Sequence, residues 1–220
     1  EKKGKKEIRK MYKKYSYLFC FIAAYFSIFI SSNAEFIGMV IGGEEFKDAL
    51  MIIMLMALYP VHNVYGLIVS NILLVRGRTD FLRNVALITL IPGVAISFFL
   101  IAPVESHGFG LGAMGLAIKV LAIQFISVNI YLMNVVKYLK LSFLKEVGNQ
   151  VVIILTLYAL VKLTQYSVLL YIDNMFIIFI VSGIFYSVLA YALIMFYPAI
   201  IGMTYTEVRH YSEMIKKQLN

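Results

Sequence analysis

The feature that most constrains the fold is an uncharged run at residues 49–75, which reads ALMIIMLMALYPVHNVYGLIVSNILLV. As an α-helix, these 27 residues would extend about 40 Å at 1.5 Å per residue. The hydrocarbon core of a bilayer is about 30 Å thick. We therefore expect a membrane-spanning helix in this part of the chain.

Polar and small residues interrupt this run near its middle. At about 100° per residue they share roughly a 100° arc of the helix; they are Tyr59, His62, Asn63, Gly66 and Ser70. Pro60 lacks the N–H that would bond to the carbonyl of Met56, which predicts a kink. The polar stripe either joins neighbouring helices or lines a cavity, and as a set at mid-membrane depth it favours a cavity wall.

Composition indicates a polytopic membrane protein. It is 61% hydrophobic with a mean hydropathy of +0.85, too apolar for a soluble core of 220 residues. The net charge of +8 does not indicate nucleic-acid binding, because Lys and Arg lie in the connections between apolar runs. The one cysteine, Cys20, lies within an apolar run and is expected to be a small buried side chain.

The pattern predicts an all-α, polytopic bundle of six transmembrane helices. The expected organisation is a basic cytoplasmic segment at residues 1–14, a bundle at 15–203 and a cytoplasmic tail at 204–220. Within the bundle the expected spans are residues 15–41, 49–75, 84–102, 111–136, 147–166 and 174–203. The first is interrupted by a polar patch at residues 31–35, and the third contains Pro92-Gly93, which predicts a second broken helix.

The distribution of basic residues predicts the orientation. Of the 20 Lys and Arg, all but Lys47, Lys119 and Lys162 fall on one side of this six-span arrangement. By the positive-inside rule, we expect a multi-pass protein of the cytoplasmic membrane with both termini cytoplasmic. The basic segment either contacts anionic lipid headgroups or forms a solvated connector. Since the chain begins at Glu1 rather than Met, we expect it to be part of a longer protein.

Catalysis receives little support from the sequence. It contains no phosphate-binding glycine loop, no serine elbow motif and no His and Cys set at metal-ligand spacing. The three histidines, His62, His107 and His210, fall at the middle, outer and inner levels of the predicted topology and cannot converge on one metal. We expect a transport protein, with neither enzymatic activity nor a cofactor.

Three stretches, in order, resemble the oligosaccharide-lipid and polysaccharide flippases of the superfamily that includes multidrug and toxic compound extruders. They read IGMVIGGEEFKDA at residues 37–49, LLVRGRTDFL at 73–82 and GLGAMGLAIK at 110–119. LYPVHNVYG at 58–66 occupies the position of that family's kinked helix. The similarity covers about 110 residues and corresponds to the C-terminal half of such a protein.

The resemblance implies one lobe of a transporter in which two helical bundles face each other across a cavity. Its implied cargo is a polyprenyl-linked saccharide, and its implied partner is the missing N-terminal bundle. Two alternatives are an exporter of amphiphilic cations with the same fold and a non-transporting membrane scaffold. A cation exporter requires an intramembrane carboxylate, and from the sequence we expect no buried Asp or Glu.

Lys119 is the expected contact for the phosphate of such a substrate. It lies about 12 Å inside the outer end of its predicted helix, where an ammonium facing lipid is costly. Its long stem could instead snorkel to the interface, but Gly112 and Gly115 share its face and favour a packed or hollow surface. Arg76 and Arg78 are expected to assist at the inner mouth, with His62, Asn63 and Ser70 lining the cavity.

Overall fold

The computed structural model describes residues 2–170 and 172–219, and this part of the chain is helical apart from short turns and connections, without a β-strand. Nine α-helices are present in it: α1 (Lys2–Ser32), α2 (Ala34–Gly42), α3 (Leu50–Ala57), α4 (Tyr59–Val75), α5 (Thr79–Ile101), α6 (Gly112–Leu139), α7 (Phe143–Leu169), α8 (Met175–Phe196) and α9 (Tyr205–Leu219). Short 3₁₀ helices lie at Gly43–Ala49, Val104–Ser106 and Pro198–Ile201. The all-α prediction is confirmed. Residue 1 of the predicted basic segment, residue 171 of the predicted bundle and residue 220 of the predicted tail lie outside the described residues.

Six segments of the described chain are long and apolar enough to cross a membrane. They are Gly4–Ser32, Ala34–Val75, Thr79–Ile101, Gly112–Leu139, Phe143–Leu169 and Met175–Phe196. The protein is therefore a multi-pass membrane protein with a helical bundle, as its composition predicts.

The first predicted span is interrupted within the expected polar patch, but its helix begins earlier than the predicted span. The basic residues at positions 2–14 belong to the same helix as the apolar run, because α1 continues without interruption from Lys2 to Ser32. The break falls at Asn33, whose Nδ2 donates to the carbonyl of Phe29 at 2.8 Å. From α7, Gln165 Nε2 donates to the Ser32 carbonyl at 3.0 Å and to Asn33 Oδ1 at 3.1 Å. The polar patch thus ends α1 and bonds it to α7.

The central run consists of two helices that meet at Leu58, two residues before Pro60. The amide of Leu58 bonds to Leu55 at 3.0 Å and that of Val61 bonds to Leu58 at 3.2 Å, both with three-residue spacing. Pro60 lies in the first turn of α4, where an amide hydrogen has no helical partner and its absence costs little. The interruption that Pro60 predicts therefore takes the form of a helix start.

No break accompanies Pro92, contrary to the expectation of a second broken helix. Helix α5 runs through it from Thr79 to Ile101. A proline inside a helix removes one amide donor and crowds the preceding turn, but 23 residues of helix leave many hydrogen bonds on both sides. Hydroxyl groups also bond within the helix here: Thr89 Oγ1 donates to the carbonyl of Val85 and Ser97 Oγ to that of Gly93, both at 2.8 Å.

Helix α1 lies at the centre of the bundle. It packs against α4 on one side and α7 on the other, with α6 and then α5 beyond α4, and α8 beyond α7. The buried face of α4 is Val61, Tyr65, Val69 and Leu73. Large apolar side chains on the periphery stay exposed, for example Ile91 at 74%, as expected where lipid replaces water.

The tail returns to the N-terminal half of α1. Glu207 forms an ion pair with Lys14 at 3.1 Å. Its other oxygen accepts from the backbone N–H of Thr204 at 3.0 Å, while the Thr204 hydroxyl accepts from the amide of Glu207 at 3.3 Å. This reciprocal pair is a capping box at the start of α9. The Thr204 amide first, and Lys14 second, lower the pKa of Glu207 to about 2.

The low pKa of Glu207 predicts that the docking of α9 depends on pH. Because the folded-state pKa is below the ordinary carboxyl value of about 4.3, its stabilising effect is complete above about pH 5 and is lost as the pH falls towards 2. Proteolysis of the tail by an acid-active protease should accelerate between pH 5 and pH 2.5. Glu207→Gln should show fast cleavage at both pH values, whereas Glu213→Gln, at another surface ion pair of α9, should behave like the wild type. If cleavage of Glu207→Gln depended on pH as cleavage of the wild type does, Glu207 would not be the group responsible.

The close contact between α5 and α6 predicts that a methyl group added at Gly115 lowers the stability of the protein. A Cβ at Gly115 would lie 2.7 Å from the backbone oxygen of Leu100, whereas one at Gly148 would meet no atom within 4 Å. Gly115→Ala should therefore destabilise the protein by about 1–3 kcal/mol through overpacking. Gly148→Ala should be neutral or stabilise it by up to about 1 kcal/mol through helix propensity. Detergent-unfolding curves would distinguish them, and equal stability would contradict the close approach.

Candidate functional site

A group of buried polar side chains lies between α1, α4 and α7, near the end of the bundle that carries most of the basic residues. We call it the Glu146 cluster; its buried members are Tyr12 and Ser16 of α1, Tyr65 of α4, and Glu146 and Gln150 of α7, and the half-buried Tyr17 of α1 lies beside them. A spacing of four residues puts each of the pairs Tyr12–Ser16 and Glu146–Gln150 on one face of its helix. The cluster is therefore built by the packing of α1 against α4 and α7.

Glu146 is a buried carboxylate that the sequence analysis missed. It is 2% exposed, which corrects the expectation of no buried Asp or Glu. Tyr17 donates its hydroxyl to Glu146 Oε1 at 3.4 Å, and Oε2 has no hydrogen-bond partner. No ion pair in the described part of the chain involves this carboxylate. A buried charge without a counter-charge is costly, so this position requires an explanation.

Other polar atoms of the cluster also lack partners. The hydroxyls of Tyr12, Ser16 and Tyr65 and Gln150 Nε2 are buried with no hydrogen bond. Tyr12 lies next to Glu146, although its hydroxyl does not form a hydrogen bond of good geometry with it. Each unsatisfied buried group costs about 1–3 kcal/mol. This concentration of unsatisfied groups makes the Glu146 cluster a candidate site.

His62 connects this cluster to the predicted polar stripe. Its ring is a neighbour of Gln150, its Nε2 lies 3.4 Å from Asn129 Nδ2, and it stacks on Phe125 with ring centroids 5.2 Å apart. A continuous set of polar groups therefore runs from α7 through α4 to α6. Of the residues predicted from the sequence, His62 is the one that joins the Glu146 cluster.

The other stripe residues have local roles. Gly66 allows α6 to approach, because a Cβ there would lie 2.8 Å from Val128 Cγ2. Ser70 donates its hydroxyl to the carbonyl of Leu67 in its own helix at 3.0 Å. Asn63 is half-buried. The stripe as a whole flanks the fully buried face of α4. Of the two roles considered for the stripe, contact between neighbouring helices fits Gly66.

Arg76 lies at the end of α4 against the end of α6. Its guanidinium carbon is 3.5 Å from the ring centroid of Tyr138, and Nη1 donates to Asn134 Oδ1 at 3.4 Å. Lys5 Nζ lies 4.8 Å from the same tyrosine ring. Two cations are thus held at one aromatic ring. Arg78 is exposed, with its guanidinium 6.0 Å from the ring of Phe81.

An apolar groove of about 330 Å³ runs between α1 and α4, with Arg76 at its end. The other lining residues are Ile8, Met11, Tyr12, Tyr15, Ile68, Asn71, Ile72 and Val75. From Ile68 to Arg76 the groove follows α4 for about 12 Å at 1.5 Å per residue. It therefore places a cation at one end of a channel suited to a hydrocarbon chain.

Lys119 lies elsewhere. Its Cε is 3.7 Å from the position that a Cβ of Gly93 would occupy, so its stem packs along α5. Val128, which faces α4, is nine residues further along α6, roughly half a turn away in angle at 100° per residue. The structure does not bring Lys119 together with His62 or Arg76. Its contact with substrate phosphate stays a prediction from the sequence.

Comparison with known proteins gives no family assignment. No protein-family model matches the chain. No curated protein and no solved structure matches it at a significant level. Function is therefore inferred from the residues themselves.

Proposed function

We propose that this chain is one lobe of a membrane transporter that flips polyprenyl-linked oligosaccharide or polysaccharide precursors across the cytoplasmic membrane by alternating access. The observation that carries this proposal is the apolar groove between α1 and α4 with Arg76 at its end. A lipid-linked saccharide has the same division, a long hydrocarbon chain joined to a phosphate. The proposed lobe works together with a second helical bundle and has no enzymatic activity.

The chemistry of Arg76 suits a phosphate. A guanidinium presents several N–H donors in a planar fork that matches phosphate oxygens, and it keeps its charge in an apolar setting. Stacking on Tyr138 at 3.5 Å holds the group in place, and Lys5 at the same ring adds a second positive charge. The groove would hold the adjoining part of the polyprenyl chain.

Two further observations support transport. The helix break at Leu58 gives the central run the discontinuous form common in transporters. The order of the stretches at residues 37–49, 73–82 and 110–119 resembles that in the flippases. Alternating access requires a second bundle against which this one moves, so we expect the isolated lobe to bind substrate without flipping it.

A second candidate is an exporter of amphiphilic cations. The buried carboxylate of Glu146 favours it, because such a protein needs a negative charge within the membrane. The two proposals differ in the charge of the ligand and in the residue that holds it. A non-transporting scaffold is the third possibility, and it predicts neither kind of binding.

The orientation follows from the charge distribution, and we place both termini in the cytoplasm. The native Cys20 is buried and should give little background in labelling. A membrane-impermeant maleimide should therefore label Glu44→Cys, in the proposed outer connection, on intact cells. Lys145→Cys, in the proposed inner connection, should react only after permeabilisation. The reverse pattern would contradict the proposed topology.

Arg76 gives the test of the substrate. In nanodiscs, the chain should bind a polyprenyl phosphate, and Arg76→Ala should weaken this binding by about tenfold or more, consistent with about 1.5–3 kcal/mol for a charge-assisted hydrogen bond. Arg83→Ala is the matched control, because Arg83 is an exposed residue paired with Asp80 at 3.1 Å, and it should leave binding unchanged.

Equal binding by wild type and Arg76→Ala would overturn the assignment of this residue. Binding of tetraphenylphosphonium that is lost in Glu146→Gln, without binding of polyprenyl phosphate, would favour the cation exporter. Absence of both would favour the scaffold.

A further inference from the structure

We propose that the Glu146 cluster is a binding site for one monovalent alkali cation, held between α1, α4 and α7. This proposal concerns a different site from the lipid groove and does not depend on the identity of the transported substrate. It explains both the buried carboxylate and the unsatisfied hydroxyl groups around it.

The geometry supplies oxygen atoms from three helices. Glu146 contributes a carboxylate with one free oxygen, Oε2, at 2% exposure. Ser16 is fully buried and Tyr12 is 2% exposed, and the hydroxyl of each is without a partner. The Tyr65 hydroxyl is also without a hydrogen-bond partner, and it interacts electrostatically with Tyr12, Tyr17 and Glu146. A hard cation prefers this kind of oxygen set.

The charge of the cluster favours an ion with a single positive charge. Its one carboxylate matches one positive charge, whereas divalent ions are usually held by more carboxylates and carbonyls. Lys13 and Arg9 of α1 act on Glu146 electrostatically, but neither forms an ion pair with it in the described part of the chain. The described residues also contain no group of three or more His, Cys, Asp or Glu side chains suited to a metal, which argues against a transition metal.

Ordered water is the simplest competing occupant. Water can satisfy the hydroxyls of Tyr12, Ser16 and Tyr65. Water adds no positive charge, so with water alone the buried carboxyl group would have to bind a proton. A cation provides the charge and at the same time accepts the hydroxyl oxygens as ligands, so one bound ion explains more of the site than water alone.

The position of the site links ion binding to the packing of the bundle. Ligands from α1, α4 and α7 would be drawn together by the ion. Gln150, one turn from Glu146, is a neighbour of His62, and His62 reaches Asn129 of α6. Occupancy should therefore stabilise the contacts of all four helices, which gives a measurable effect on thermal unfolding.

Thermal unfolding in nanodiscs provides the test, with NaCl exchanged for equal concentrations of choline chloride so that ionic strength stays constant. Sodium should raise the melting temperature of the wild type in a saturable manner, as expected for a ligand that binds the folded state. Glu146→Gln should abolish this dependence on sodium. Glu35→Gln is the matched control, because Glu35 is an exposed carboxylate on α2, and it should respond as the wild type does.

Ser16→Ala keeps the proposal testable if Glu146→Gln does not fold. It removes one proposed ligand with little change in volume and should raise the sodium concentration for half-maximal effect by about threefold or more. Equilibrium binding of radioactive sodium should approach one ion per chain in the wild type. No difference between sodium and choline would overturn the proposal, as would a sodium response that persists in Glu146→Gln. A response to pH alone in choline would show that a proton occupies the site and would overturn it as well.

Discussion

The bundle depends on a stripe of buried side chains along α1. At intervals of four residues, Tyr12, Ser16, Cys20, Ala24 and Ile28 are each at most 4% exposed. The three in the middle are small, and small residues allow helix backbones to approach closely where lipid removes the hydrophobic driving force between helices. Helices α4 and α7 pack on the two sides of this stripe. The same close approach removes water from the polar side chains at one end of the stripe, and this creates the Glu146 cluster.

Two different sites use the basic end of α1. The groove on its α4 side is apolar and ends at Arg76, whereas the Glu146 cluster is enclosed and contains a buried carboxyl group. Tyr12 belongs to both, since it lines the groove and lies beside Glu146. A side chain shared in this way is a direct physical contact through which the contents of one site can affect the other.

Much of the fold could be predicted from hydropathy and charge, because a bilayer limits the lengths of spans and the places for basic residues. The candidate site could be predicted less well. Glu146 stands beside Lys145 in a basic connection, which suggests a surface position. The signal that could have identified it is periodicity, since Glu146 shares a face of α7 with Gln150, Ile153 and Leu157, all buried. Pro92 shows a further limit, because a sequence does not reveal whether a long helix absorbs a proline.

Lys119 and Arg76 show that the surroundings of a side chain cannot be assigned without the fold. Both are cations near apolar runs, but rotation about the helix axes puts one against α5 and the other at the groove.

The hydrogen bonds of Gln165 to Ser32 and Asn33 determine how α1 can move. They fasten one end of a helix of 31 residues, which is about 46 Å long. If α1 tilted about this end, the displacement of each residue would grow with its distance from Asn33. A tilt of α1 by about 5° would leave the Gln165 contact nearly unchanged and shift the opposite end by about 4 Å, given that length. The residues of α1 that line the groove lie between Ile8 and Tyr15, where the same tilt would shift the helix by about 2–3 Å, so a small rotation of one helix would change the width of the groove.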